Sequence, residues 1–225
     1  MRTLIRSIPG AALVLALGTA PLAAQAPGNG NFQWYVGGQG GVTFFKTPTQ
    51  DRSGIPSFGG HTLIVAKRTG LLLSFDEAVG SDETTAYTDG NGVQSVTFND
   101  IRTYSGILMA FPLRTPAQPY LGVGYGIKHI VNPTPASSGA FQSDAVELGS
   151  FGFAAFVGGV QFQVGRFMAF GQYQITTSPS QKSVTATDGT VLAVGRLLEG
   201  PTHMFSGGLR FGLGSARESV KGGGY

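Results

Sequence analysis

A two-residue rhythm constrains this chain more than any other feature. In FMAFGQYQIT, residues 167–176, Phe167, Ala169, Gly171, Tyr173 and Ile175 share one parity, and Met168, Phe170, Gln172, Gln174 and Thr176 the other. Residues 156–165 repeat the arrangement, setting Phe156, Gly158, Val160, Phe162 and Val164 against Val157, Gly159, Gln161, Gln163 and Gly165. Residues 121–128 set Leu121, Val123, Tyr125 and Ile127 against Gly122, Gly124, Gly126 and Lys128. Side chains of a strand alternate between its two faces, so each stretch reads as a strand with one apolar face and one of glycine and amide. No long stretch carries the 3.6-residue apolar period of a helix. The chain is therefore all-β, with eight strands expected near 34–46, 58–67, 71–80, 96–112, 120–131, 150–165, 167–177 and 201–213.

The second face decides what covers the first. A barrel in water would turn its apolar face inward and present a surface dense in Lys and Glu, yet only 12% of the chain is charged. A polar face poor in charge suits the interior of a narrow membrane barrel, whose outside is apolar. Glycine points the same way: 36 of 225 residues are Gly, placed inside apolar runs such as VGGQGGVTFF and LGVGYGI rather than in a linker. Glycine in strand interiors implies tight curvature, bulges or close packing.

Connection lengths alternate as well. TPTQDRSGIPS, SDETTAYTDGNGVQS, NPTPASSGAFQSDAVELG and the stretch 178–200 are long; KRTG, LRTPAQP and Gly165-Arg166 are short. A transmembrane up-and-down barrel has short turns at one end and long loops at the other. With an even strand number and both termini on the periplasmic side, all the long connections fall on the outer side. An unpaired strand edge finds no partner in a bilayer, so the sheet must close. The expected fold is an eight-stranded antiparallel up-and-down transmembrane β-barrel spanning residues 25–213.

The first residues read as a leader. Arg2 and Arg6 precede an apolar run from Ala11 to Leu17 and a small-residue exit, with cleavage expected after Ala24 and residues 214–225 left as a short tail. That apolar run is shorter than a bilayer-spanning helix. The absence of cysteine excludes a disulfide scaffold and thiolate chemistry. Without Arg2 and Arg6 the formal charge of +3 falls to +1 with the basic residues scattered, which excludes a nucleic-acid surface.

If the apolar parity faces lipid, Arg210, Arg102, Lys128, Asp76 and Asp100 are expected inside, joined as acids and bases across the lumen, since buried charge needs partners. Eight strands leave just enough room for side chains to fill the interior, so an open pore is not expected. Trp34, Phe44, Phe111, Tyr120, Phe167 and Phe211, near strand ends, are expected in aromatic girdles at the two bilayer surfaces.

At this point the chain resembles the small outer-membrane β-barrel proteins, the OmpA-transmembrane-domain and OmpX-like group. The resemblance covers the whole chain after the leader and rests on pattern. Its most specific element lies in MFSGGLRFGLG, where Ser206, Gly208, Phe211 and Leu213 fill the places of that group's assembly signal. The resemblance implies Sec-type export, insertion by the barrel assembly machinery, and residence as a monomer in outer-membrane lipid. The chain departs from the group by continuing as GSARESVKGGGY beyond the signal, too short a tail for a peptidoglycan-binding domain.

Little in the sequence suggests chemistry. His129 has no serine nearby in its own strand, and His203 with Ser206 or Thr202 is equally unsupported as a nucleophile and base. DGNG at 89–92 lacks the alternating acids of a calcium loop and reads as a turn. GVGYG at 122–126 lacks the following helix that a phosphate loop needs. No catalytic, cofactor or metal site is assigned. The expected role is structural or surface-interacting, with the long loops as contact surface. The alternatives are a transporter for a small hydrophobic compound, a lipid-modifying enzyme if a serine or acid lies near His129, and a soluble periplasmic lipocalin-like binder.

Overall fold

The structure, a computed structural model, describes residues 32–113 and 115–216, with side chains up to Gly214. Residues 1–24, expected as the leader, and 217–225 of the tail lie outside the described residues. In chain order the elements are β1 (Phe32–Lys46), β2 (Ser53–Ala66), β3 (Thr69–Ala78), β4 (Glu83–Asp89), β5 (Gly92–Phe98), β6 (Asp100–Ala110), β7 (Ala117–Val131) and β8 (Thr134–Pro135). They continue as α1 (Gln142–Leu148), β9 (Ser150–Val164), β10 (Phe167–Thr176), β11 (Lys182–Thr185), β12 (Val191–Gly195) and β13 (Glu199–Ala216).

Eight of these strands close a barrel in the order β1-β13-β10-β9-β7-β6-β3-β2, each antiparallel to its neighbours. The other five form a separate sheet, β11-β12-β4-β5-β8. The expected fourth strand, 96–112, is thus two elements: β5 belongs to the second sheet and β6 to the barrel. The stretch 183–198 does not prolong the barrel wall but folds as the β11–β12 hairpin, which joins β4 through Ala193, Val194 and Gly195. β13 runs to Ala216, three residues past the expected end at 213.

The parity of each strand sorts its side chains. Leu121, Val123, Tyr125 and Ile127 of β7, Phe156 and Phe162 of β9, and Phe205, Leu209 and Leu213 of β13 are exposed on the outside. Gln161, Gln172, Gln174 and Arg210 are buried inside. A wall with large apolar residues outward and amides inward suits lipid, not water.

The register fixes the stagger of that wall. Following paired residues from Trp34 leads through Ile64, Leu71, Leu108, Val123, Phe156, Ile175 and His203, and returns to β1 at Phe44, ten residues further on. At a rise of about 3.3 Å per residue and a tilt of about 40°, ten residues climb about 25 Å, the height of an outer-membrane apolar band. Trp34, Phe162, Phe167 and Phe211 lie near its lower edge; Phe44 and Tyr104 lie near its upper one.

Interior glycines set how closely neighbouring strands approach. A methyl group at Gly124 would collide with the Gly106 carbonyl oxygen and at Gly208 with that of Gly38, whereas one at the outward Gly171 would meet nothing within 4 Å.

Two apolar clusters fill the axis. One gathers Tyr35, Leu63, Leu72, Ile107, Met109, Phe111 and Tyr120 inside the barrel with residues of β9 and β10. The other joins the outer ends of the wall (Phe45, Ile55, Ala78, Ile101, Ile130) to Tyr87, Val96 and Phe98 of β4 and β5, Val184 and Ala193 of β11 and β12, Leu197, Leu198, and Ala145 and Leu148 of α1. The long loops therefore build a folded cap over the outer mouth. At its tip Gly90 and Asn91 turn the β4–β5 hairpin, with the Asn91 N–H donating to Asp89 Oδ1 at 2.8 Å, so DGNG serves as a turn.

Candidate functional site

Of the five charges expected in the lumen, three are there. Arg210, Lys128 and Asp76 are 1%, 3% and 4% exposed. Arg102 and Asp100 are not, which corrects the expected lumen network: both have the outward parity of Tyr104 and Leu108 on β6. The Arg102 side chain is 42% exposed and donates through Nε to Glu77 Oε1 at 2.8 Å, while Asp100 accepts the Gly80 N–H at 3.3 Å.

The three interior charges do not form an ion pair either. The described ion pairs, Lys46–Glu199, Arg102–Glu77 and Arg196–Glu199, are all partly exposed. Arg210 donates to His61 Nε2 at 3.0 Å and to Gln161 Oε1 at 2.8 Å, with its guanidinium carbon 3.9 Å from the Phe170 ring centroid. Lys128 donates to Thr176 Oγ1 at 3.1 Å over the Phe153 ring. Asp76 accepts from the Gln39 amide. Gln39 Oε1 accepts from Gln172 at 3.5 Å, and Gln172 Oε1 accepts from the Tyr120 hydroxyl at 3.2 Å. The Tyr120 ring centroid lies 5.9 Å from the Arg210 guanidinium carbon. Asp76 and Arg210 are linked through two amides and a phenol rather than paired directly. The register puts the two bases, Arg210 and Lys128, about 20 Å apart along the axis.

The girdle expectation also needs correction at two residues. Trp34, Phe167 and Phe211 are exposed on the outer face, and Phe44 shares their parity and packs edge-on against Phe205. Phe111 and Tyr120 instead point inward, 4% and 1% exposed, with ring centroids 6.0 Å apart. Both have the opposite parity from the outward residues beside them, Ala110 and Leu121. Proximity to a strand end does not decide which way an aromatic residue faces.

On the outer face, above Phe75, Tyr104 and Ile127, cross-strand pairing lines up Glu77, Arg102, His129 and Ser150 in that order. Ser150 Oγ lies 2.6 Å from His129 Nδ1. A search for serine along β7 alone misses this neighbour, which β9 supplies. His203 pairs with neither Thr202 nor Ser206: its Nδ1 lies 2.6 Å from the Tyr173 hydroxyl. Lower on the same face, an apolar groove of about 1210 Å³ follows the paired row from Trp34 through Leu71, Leu108 and Val123 to Phe156.

The closed wall, its height and its outward apolar face place the architecture. Neisserial surface protein A has a crystal structure similar to this chain at 11% identity, with 79% of this chain and 96% of that chain covered and a TM-score of 0.50. The fold is that of the small outer-membrane β-barrels. The N-terminal β-barrel domain of Pseudomonas aeruginosa OprF is similar over 82% of this chain and 98% of that chain, at 15% identity and a TM-score of 0.48. No protein family and no curated protein matches the sequence. The likeness is therefore one of backbone architecture, and side chains must carry any statement about function.

Within this barrel, Ser206 and Gly208 of the expected assembly signal face the lumen, and Phe211 and Leu213 face outward. In the cap, Thr85 Oγ1 donates to the Leu197 carbonyl at 2.8 Å. The Tyr87 hydroxyl accepts the Phe141 N–H at 3.0 Å, and burial pushes that phenol above its ordinary value. These contacts tie three separate loops together.

Proposed function

We propose that the protein is a monomeric, non-enzymatic barrel of the outer membrane whose role is structural or surface-interacting, with the folded cap as its contact surface. Its leader, residues 1–24, directs Sec-type export and is removed. Ser206, Gly208, Phe211 and Leu213 serve as the signal to the barrel assembly machinery, residues 25–213 form the barrel with its cap, and outer-membrane lipid covers the outward face. The observation that carries this reading is the packed interior: side chains occupy the lumen and the apolar core of the cap continues over its outer mouth. An occupied lumen of this diameter favours display over conduction.

A short epitope inserted at the Asp188–Gly189 turn of the β11–β12 hairpin tests it. The epitope should be labelled on intact cells, the protein should require detergent for extraction, and planar bilayers containing it should show no stepwise conductance. Labelling only after permeabilisation, or steady channels, would remove the reading. Recovery in the aqueous periplasmic fraction would favour the lipocalin-like alternative, against which the outward Leu121, Phe156, Phe205 and Leu209 stand.

The His129–Ser150 contact gives the lipid-modifying alternative a concrete pair, a hydroxyl within hydrogen-bond reach of a base. Fatty-acid release from vesicles, lost in Ser150→Ala, is its signature.

A further inference from the structure

The outer face carries an arrangement that the display role leaves unused. Arg102 and His129 stand directly opposite each other on β6 and β7, where facing Cβ atoms are about 4.5–5.5 Å apart. Each is held from its far side. Glu77, opposite Arg102 on β3, takes the guanidinium through Nε at 2.8 Å. Ser150, opposite His129 on β9, takes the ring through Nδ1 at 2.6 Å. The described hydrogen bonds use neither the two terminal nitrogens of Arg102 nor Nε2 of His129. With the Ser150 hydroxyl donating to Nδ1, Nε2 carries the ring proton and donates.

We propose that Arg102 and His129 form a clamp for one phosphate group of an outer-leaflet lipid. A guanidinium fork matches phosphate oxygens bidentately, and charge-assisted bonds of this kind are short and directional. Height supports a lipid over a free anion. Counting along the register, Arg102 and His129 lie about 24 and 27 Å above Trp34, at the upper edge of the apolar band, where headgroups begin. Tyr104 and Ile127, next below them on the same two strands, are 49% and 58% exposed and supply the surface against which the same lipid's chains lie. Glu77 and Ser150 are positioning residues: one fixes the plane of the fork, the other the rotation of the ring.

The proposal rests on the membrane placement, and its test separates the two. The purified barrel in neutral detergent is titrated by native mass spectrometry with phosphatidic acid and with diacylglycerol of the same chains, which differ only by the phosphate. Heat-modifiable migration of every variant reports whether the barrel is folded. Phosphatidic acid should bind at least tenfold more tightly than diacylglycerol; Arg102→Gln and His129→Phe should each weaken it about tenfold without changing diacylglycerol binding. Glu77→Gln and Ser150→Ala should weaken it less, because the donors remain while their orientation loosens. Equal retention of the two lipids, or full retention of phosphatidic acid by folded Arg102→Gln, overturns the clamp. Displacement of the lipid by millimolar inorganic phosphate identifies a free-anion site and overturns the lipid assignment. Fatty-acid release that depends on Ser150 makes the pair a nucleophile and base, and overturns it too. Loss of heat-modifiable migration in the unaltered chain would instead remove the membrane reading.

Discussion

Wall and cap use the same two-residue alternation in opposite senses. In the barrel wall, Leu121, Phe156 and Leu209 point away from the axis and Gln161, Gln172 and Arg210 toward it; in the cap, Tyr87, Val96, Phe98 and Ala193 point inward and Thr88 and Gln50 face water. The change falls at the top of the wall, where Ile101 of β6 and Phe98 of β5 are both already buried in the core of the cap. Alternation alone therefore fixes that a segment is a strand. The surrounding solvent decides which parity is buried.

Six substitutions would break or sharpen that contrast. The largest effect is expected in the wall's interior: Gly124→Val drives a side chain into the Gly106 carbonyl and should abolish heat-modifiable folding, whereas Gly171→Ala, on the outer face of the same wall, should leave it intact. In the cap, Phe98→Ala opens a cavity in the buried core and should cost about 3–5 kcal/mol locally. Limited proteolysis should then cut within residues 79–99 and 177–198 while the barrel keeps its migration. Simultaneous loss of both would show that cap and wall fold as one unit. Val123→Arg, near mid-height on the lipid side, should cost about 2–4 kcal/mol in denaturant titrations in phospholipid vesicles. Val93→Arg, equally apolar in sequence but 73% exposed on the cap, should stay within about 0.5 kcal/mol. Among the buried positions, the smallest loss is expected for Asp76→Asn. Its partner is an amide, so neutralising it should cost about 1 kcal/mol, against about 3–5 for breaking a buried ion pair.

The sequence discloses the wall most clearly where the lumen is polar. β7, β9, β10 and β13 set glycine, amide and Arg210 against apolar residues, and their strands and faces can be read without coordinates. β2, β3 and β6 are harder, because Leu63, Leu72, Ile107 and Met109 build the interior cluster and put apolar side chains on both faces. Arg102 and Asp100 are misassigned for that reason. Phe111 and Tyr120 differ: they lie near strand ends, but their parity turns them inward. The cap is nearly invisible because its strands are short and pair between loops distant in sequence, as Gly195 does with Tyr87. The row from Glu77 to Ser150 is hidden for the same reason. It is a property of register across four strands, and no single strand contains it.

The seam between β1 and β13 has a consequence for the order of events in assembly. The first and last strands of the wall are partners, paired from Phe32 with Ala216 to Lys46 with Glu199. During synthesis every shorter intermediate has open edges, on β1 and on whichever strand was made last. Such a chain cannot be threaded into a bilayer piece by piece as a helical protein can, since each step would strand a row of backbone amides in hydrocarbon. Completion is all-or-none and waits until β13 has been made. Until then the chain must be kept from closing on a stranger's edge.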